Sequence, residues 1–124
     1  MISSQSLNIV HFFPDHMNIY GDMRNIISLR KRCAWRGIHV EYISVNSFHD
    51  FDKISAGDLF FFGGGQDTDQ MRVWNIITEQ KQLFTGHVEQ AISEDKVFLL
   101  ICGGYQLFGR FFVDGSGNTI PGLG

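Results

Sequence analysis

The sequence predicts an α/β fold of the open, three-layer kind, a parallel sheet with helices on both faces. Two short runs, Leu59–Phe62 and Val97–Ile101, are wholly apolar, as strands covered on both sides must be. Between the strand-like runs lie longer stretches whose apolar residues recur at helical spacing. Strands and helices alternate along the chain, which points to parallel pairing with helical crossovers, and the right-handed crossover rule leaves few topologies.

Each element has its own signal. Leu7–Phe13 reads as the first strand, followed by a turn-rich loop from Pro14 to Gly21. Asp22 is a candidate N-cap for a helix reaching Trp35, with Met23, Ile26, Ile27, Cys33 and Ala34 on its apolar stripe and Gly37 where a terminating glycine belongs. That places Cys33 toward the core, where a thiol is inert packing. Ile38–Val45 is a second strand whose His39, Glu41 and Ser44 interrupt the apolar residues, as suits a sheet edge. Leu59–Phe62 is the third strand. One or two helices occupy Thr68–Ser93, with Thr85 a candidate cap before His87. Val97–Ile101 is a fourth strand, Leu107 and Phe108 continue into a short helix, and Asp114-Gly115-Ser116-Gly117-Asn118 is a turn. No repeat or linker divides the chain.

Composition sets limits. With 44% hydrophobic and 19% charged residues in 124, the chain can pack a core and is not of the disordered type. Twelve of its seventeen aromatic residues are Phe, several in strand-like runs. A net charge of −3 gives no general attraction to nucleic acid or anionic membrane. Arg24, Arg30, Lys31, Arg32 and Arg36 gather on one predicted helix, as a solvated face or a docking face for an acidic partner. Two distant cysteines form neither a disulfide framework nor a metal site. No cofactor or metal is expected. Met1–Leu7 lacks the basic and apolar regions of a signal peptide, and no apolar run approaches the roughly 20 residues of a membrane span, so a reduced, cytoplasmic location is expected with no membrane insertion.

The chemistry concentrates in Leu100-Ile101-Cys102-Gly103-Gly104-Tyr105-Gln106-Leu107. A cysteine at the end of a buried strand, followed at once by glycines and a helix, has the strand–turn–helix setting of a nucleophile elbow. The turn strains the nucleophile's backbone and demands small neighbours. The following helix turns N–H groups and its positive end toward the sulfur, an arrangement that favours an anionic nucleophile, and the Gly103 N–H can face an oxyanion. The alternative is a buried cysteine in an ordinary turn. The second motif, Phe61-Phe62-Gly63-Gly64-Gly65-Gln66-Asp67, is neither a P-loop nor a dinucleotide fingerprint. Its glycines permit close backbone approach. If the third and fourth strands are neighbours, this bend and Cys102 share the carboxyl edge of the sheet, where open α/β sheets bind ligands. Together they make an acyl-transfer site.

Cys102-Gly103-Gly104-Tyr105-Gln106 and Gly63-Gly64-Gly65-Gln66-Asp67 resemble the class I, triad-type glutamine amidotransferases, specifically their cobyric acid synthase-like branch. The loop Met17-Asn18-Ile19-Tyr20-Gly21-Asp22 is similar to the start of the stand-alone glutaminase subunits of lipid II isoglutaminyl synthases. The resemblance runs from about Leu7 to Gly124. It implies a flavodoxin-like sheet, and attack by Cys102 on the side-chain amide of L-glutamine to form a glutamyl thioester. It also implies an oxyanion hole from Gly103 and the Gly64/Gly65 turn, and a substrate-holding role for Gln106. Ammonia would pass to an ATP-dependent, Mur-ligase-like synthetase subunit that amidates a peptidoglycan precursor.

In this family the catalytic histidine lies well beyond the cysteine motif. His11, His16, His39, His49 and His87 do not occupy that place, and His16 alone is expected near the carboxyl edge as a substitute base. The expectation is therefore the N-terminal part of an amidotransferase domain over residues 1–124, C-terminally incomplete, with little turnover by itself and an exposed edge on the fourth strand. Competing readings are a related cysteine hydrolase and a non-catalytic flavodoxin-like binding module that docks through the basic helix.

Overall fold

The computed structural model describes residues 5–17 and 23–124. Four parallel strands form the central sheet: β1 (Gln5–Phe12), β2 (Ile38–Val45), β3 (Leu59–Phe62) and β4 (Val97–Leu100), in the order β2-β1-β3-β4. This is the flavodoxin-like order, in which the chain moves outward from β1 to β2 and then crosses back to the other side of β1. The reversal lies between β1 and β3. The helices are α1 (Met23–Trp35), α2 (Asp67–Glu79), α3 (Lys81–Ser93) and α4 (Gly103–Phe108), with a 3-10 helix over Phe48–Ala56. An antiparallel hairpin, β5 (Phe111–Val113) with β6 (Thr119–Pro121), follows α4. The expected cap Asp22 and most of the Met17–Asp22 motif lie outside the described residues.

Period-two alternation assigns each strand residue to a layer. Val10 and Phe12 of β1 and Phe60 and Phe62 of β3 point to the face covered by α2, α3 and the 3-10 helix, where they meet Phe13, Phe51, Phe84 and Val73. Phe rings run across the strands there, with Phe60 stacked on Phe12 at 5.7 Å and on Phe98 at 4.6 Å between centroids. Ile9 and Phe61 point the other way and pack with Ile26 of α1. At the amino end of β3, Asp58 accepts from the Asn8 N–H at 2.8 Å and from Lys96 Nζ at 3.2 Å.

β2 is an edge strand, as its mixed faces indicate. β4 is the opposite edge, as expected of this chain, although its apolar run is of the kind that suits an interior strand. Among the described residues no strand pairs with its outer side, and Val97 and Leu99, on the α1 face of the sheet, are 58% and 39% exposed. Thr85 is not a cap. The helical stretch breaks earlier, at Gln80 (φ −136°, ψ 51°), so Thr85 and His87 both lie inside α3. Cys33 is only half buried, since α1 seals a single residue, Ile26, against the sheet.

His11 sits on the α1 face of β1, fully buried, with Nδ1 2.9 Å from the Tyr42 hydroxyl and its ring edge-on to Phe61 at 5.1 Å. Burial lowers its pKa from 6.5 to about 4, because the charged form loses its hydration. The unfolded chain therefore binds the proton more readily, and stability is full above the unfolded pKa and falls as pH drops from 6.5 toward 4. The span is worth about 3 kcal/mol. A His11→Leu variant is expected to lose that part of the acid sensitivity, read from urea unfolding at neutral and acidic pH. An equal pH dependence in both proteins would refute it.

Candidate active site

The Cys102 backbone is the first departure from regular structure after β4. Ile101 extends the β3–β4 pairing by one more bond, its N–H donating to Phe62 O at 2.9 Å. The chain then turns at Cys102 with φ 53° and ψ −110°. A side-chain-bearing residue in that conformation stores about 1–3 kcal/mol of strain. The turn delivers the Cys102 side chain to solvent and buries Gly103 and Gly104 beneath it. Neither glycine has room for a side chain. A Cβ on Gly104 would stand 2.4 Å from Phe62 O, and one on Gly103 would stand 2.6 Å from Gln70 Nε2 and 2.7 Å from Met17 Cε.

The triglycine bend lies against this elbow. The Gly104 N–H donates to Gly63 O at 3.0 Å and to Ile101 O at 3.1 Å, joining the two turns. At Gly65 a Cβ would come within 2.6 Å of Met17 Sδ and 3.1 Å of Asp69 Cβ. Thus the segments after β1, β3 and β4 close on one another at the carboxyl end of the sheet, beside the strand-order reversal. The bend is held from its far side as well. The Gln66 N–H donates to Asp69 Oδ2 at 3.0 Å, and Asp67 Oδ2 accepts from the Gly115 N–H of the hairpin at 2.9 Å.

Gln106, one turn beyond the cysteine, donates its N–H to Cys102 O at 3.0 Å and accepts, through Oε1, from Gln70 Nε2 at 2.9 Å. Gln70 is a site residue that the sequence reading does not reach. A signal exists: Gln70 shares a helical stripe with Val73, Trp74 and Ile77, a polar residue at a core position. A hollow of about 480 Å³ adjoins this end, lined among others by Leu100, Tyr105, Gln106 and Phe108; Cys102 is not part of its lining.

Among the described residues, no hydrogen bond or ion pair joins the Cys102 sulfur to a histidine. His11 is buried against Tyr42, His39 pairs with Glu41 at 2.9 Å, His49 stacks on Phe48, and His87 is 3.8 Å from Asp52. His16 lies in the turn after β1, its N–H bonded to Phe13 O. Among the described residues no group of three or more His, Cys, Asp or Glu side chains is disposed to hold a metal ion.

Comparison with known proteins fits this geometry. Residues 8–124 match the family model of the CobB/CobQ-like glutamine amidotransferase domain. The chain belongs to that family. Two curated relatives of this chain bear the name lipid II isoglutaminyl synthase (glutamine-hydrolyzing) subunit GatD. The one from Streptococcus pneumoniae strain R6 is 40% identical over 118 residues, covering 95% of this chain and 44% of the relative. The one from Staphylococcus aureus strain N315 is 36% identical over 120 residues, covering 95% and 46%. The chain thus spans about half the length of the curated relatives it matches. A crystal structure of a Listeria monocytogenes EGD-e protein assigned as a peptidase E superposes with a TM-score of 0.60 at 12% identity, covering 99% of this chain and 64% of the other, a likeness of fold alone. Among the described residues no helix is long and apolar enough to cross a membrane.

Proposed function

We propose that the chain is the cysteine-bearing part of a glutaminase subunit that supplies ammonia for the amidation of lipid II. One observation carries this reading above all: the strained, solvent-facing Cys102 turn packed against the triglycine bend, within a chain of the amidotransferase family. The Cys102 sulfur attacks the side-chain carbonyl carbon of glutamine. The tetrahedral oxyanion collapses, the carbon–nitrogen bond breaks, and ammonia leaves with a proton from a general acid. Water then attacks the thioester carbonyl, releasing glutamate and restoring the thiol.

The Gly104 N–H is already committed to Gly63 O and Ile101 O, so the elbow's contribution to the oxyanion hole falls to Gly103. The Gly64/Gly65 turn supplies the facing donors, and Gln106 holds the substrate. On this reading the general base is a residue other than the described histidines, none of which pairs with the sulfur. By the same reading, residues 1–124 alone turn glutamine over slowly, and the ammonia goes to a Mur-ligase-like synthetase partner in the cytoplasm. The names of the two curated relatives, both subunits of a lipid II isoglutaminyl synthase, support that destination.

Incubation with a glutamine-derived electrophile, followed by peptide mass spectrometry, tests the assignment. Alkylation confined to Cys102 and suppressed by excess glutamine is expected. Equal labelling of Cys33, or none in the presence of the synthetase, would overturn it.

A further inference from the structure

Gln70 is 2% exposed, and it is the buried polar side chain at the junction of α2, the triglycine bend and the elbow. Its Nε2 donates to Gln106 Oε1 at 2.9 Å and reaches Gly65 O at 3.5 Å, while its Oε1 is buried without a partner. The orientation is fixed by these neighbours, because turning the amide over would set Oε1 against the Gly65 carbonyl oxygen. A buried acceptor left unsatisfied costs stability, on the order of 1–3 kcal/mol. Burying a carboxamide there, where a methionine would fill the same space, therefore calls for a role other than packing.

We infer that Gln70 is a positioning residue that fixes which end of the Gln106 carboxamide meets the substrate. With Gln106 Oε1 held by Gln70, the Gln106 amino group is the end left for a ligand. It can only donate, so it selects an acceptor, such as the carboxylate or carbonyl oxygen of glutamine. If Gln70 did not donate, the Gln106 amide would be free to present either end, and half of its orientations would oppose an anionic ligand. Gln70 lies against Gly103 as well, where the glycine leaves just enough room for its amide.

The inference rests on the glutaminase reading, and its test is arranged to tell the two apart. Gln70→Met keeps the volume and removes both polar atoms; Gln70→Glu keeps the shape and leaves only acceptors, which would pull the Gln106 amino group inward. Both are compared with wild type in the full protein with its synthetase, by KM and kcat for glutamine hydrolysis, by iodoacetamide alkylation of Cys102 and by thermal unfolding. Gln70→Met is expected to raise KM about tenfold, the effect of one lost orienting hydrogen bond, with kcat and iodoacetamide reactivity near wild type and no loss of thermal stability. Gln70→Glu should raise KM at least as much. An unchanged KM in Gln70→Met, with wild type active, overturns the positioning role and leaves the glutaminase reading intact. If Gln70→Met does not fold, an unchanged KM in Gln70→Glu has the same force. A wild type that neither hydrolyses glutamine nor is labelled by the electrophile overturns both.

Discussion

Replacing Cys102 with glycine is expected to abolish glutamine hydrolysis while leaving the fold as stable as before or more so. The residue turns the chain at φ 53° and ψ −110°, a region that costs a side-chain-bearing residue about 1–3 kcal/mol and glycine almost nothing. Glycine's greater freedom in the unfolded chain returns roughly 0.5–1 kcal/mol of that. The net expectation is a gain of about 1 kcal/mol for Cys102→Gly, against no gain for Cys102→Ala, which keeps the Cβ and the strain. Both variants lose the only atom able to form a thioester at this site, so hydrolysis should fall at least ~10³-fold. Urea unfolding and a glutamate-release assay on the same preparations check the pair of outcomes. A Cys102→Gly variant markedly less stable than wild type would show that the cysteine is held there for packing.

A large loss of stability is expected from Gly104→Ala. The new methyl group would stand 2.4 Å from Phe62 O, 2.7 Å from Phe62 Cβ and 2.9 Å from Phe62 C, so backbone as well as side chain must move. The shift would also break the Gly104 N–H to Gly63 O bond that joins elbow and bend. Overpacking and a lost buried hydrogen bond together cost about 3 kcal/mol or more. Gly86→Ala is the control: it lies within α3, where an added Cβ would meet nothing within 4 Å, and it should gain roughly 0.5–1 kcal/mol from helix propensity. Chemical denaturation of the two variants should therefore shift in opposite directions. Equal stability of Gly104→Ala and wild type would mean that the two turns are not packed as described.

How far the fold can be read depends on how local each signal is. β2 and β3 match their expected bounds because apolar runs ended by Gly or polar residues mark strands without tertiary context. The elbow is legible for the same reason: strand, cysteine and glycines are contiguous. The apolar run of β4 by itself does not tell edge from interior, because such a strand reads alike in both; its edge position follows from the family resemblance and the expected incompleteness of residues 1–124. The hairpin of β5 and β6 is only half legible. Its turn has a clear signature, but its strands are three residues each, too short for an alternating pattern to register. Gln70 needs three dimensions, since its partners Gly65 and Gln106 come from two other segments and 36 residues separate the two glutamines.

The most direct measurement is an acid quench of the full protein during turnover of isotopically labelled glutamine, with the trapped acyl group located by peptide mass spectrometry. A labelled glutamyl thioester on Cys102, absent from Cys102→Ala, is the predicted result. Glutamine hydrolysis without any acyl group on Cys102, or with one on Cys33, would contradict the assignment of this sulfur as the nucleophile.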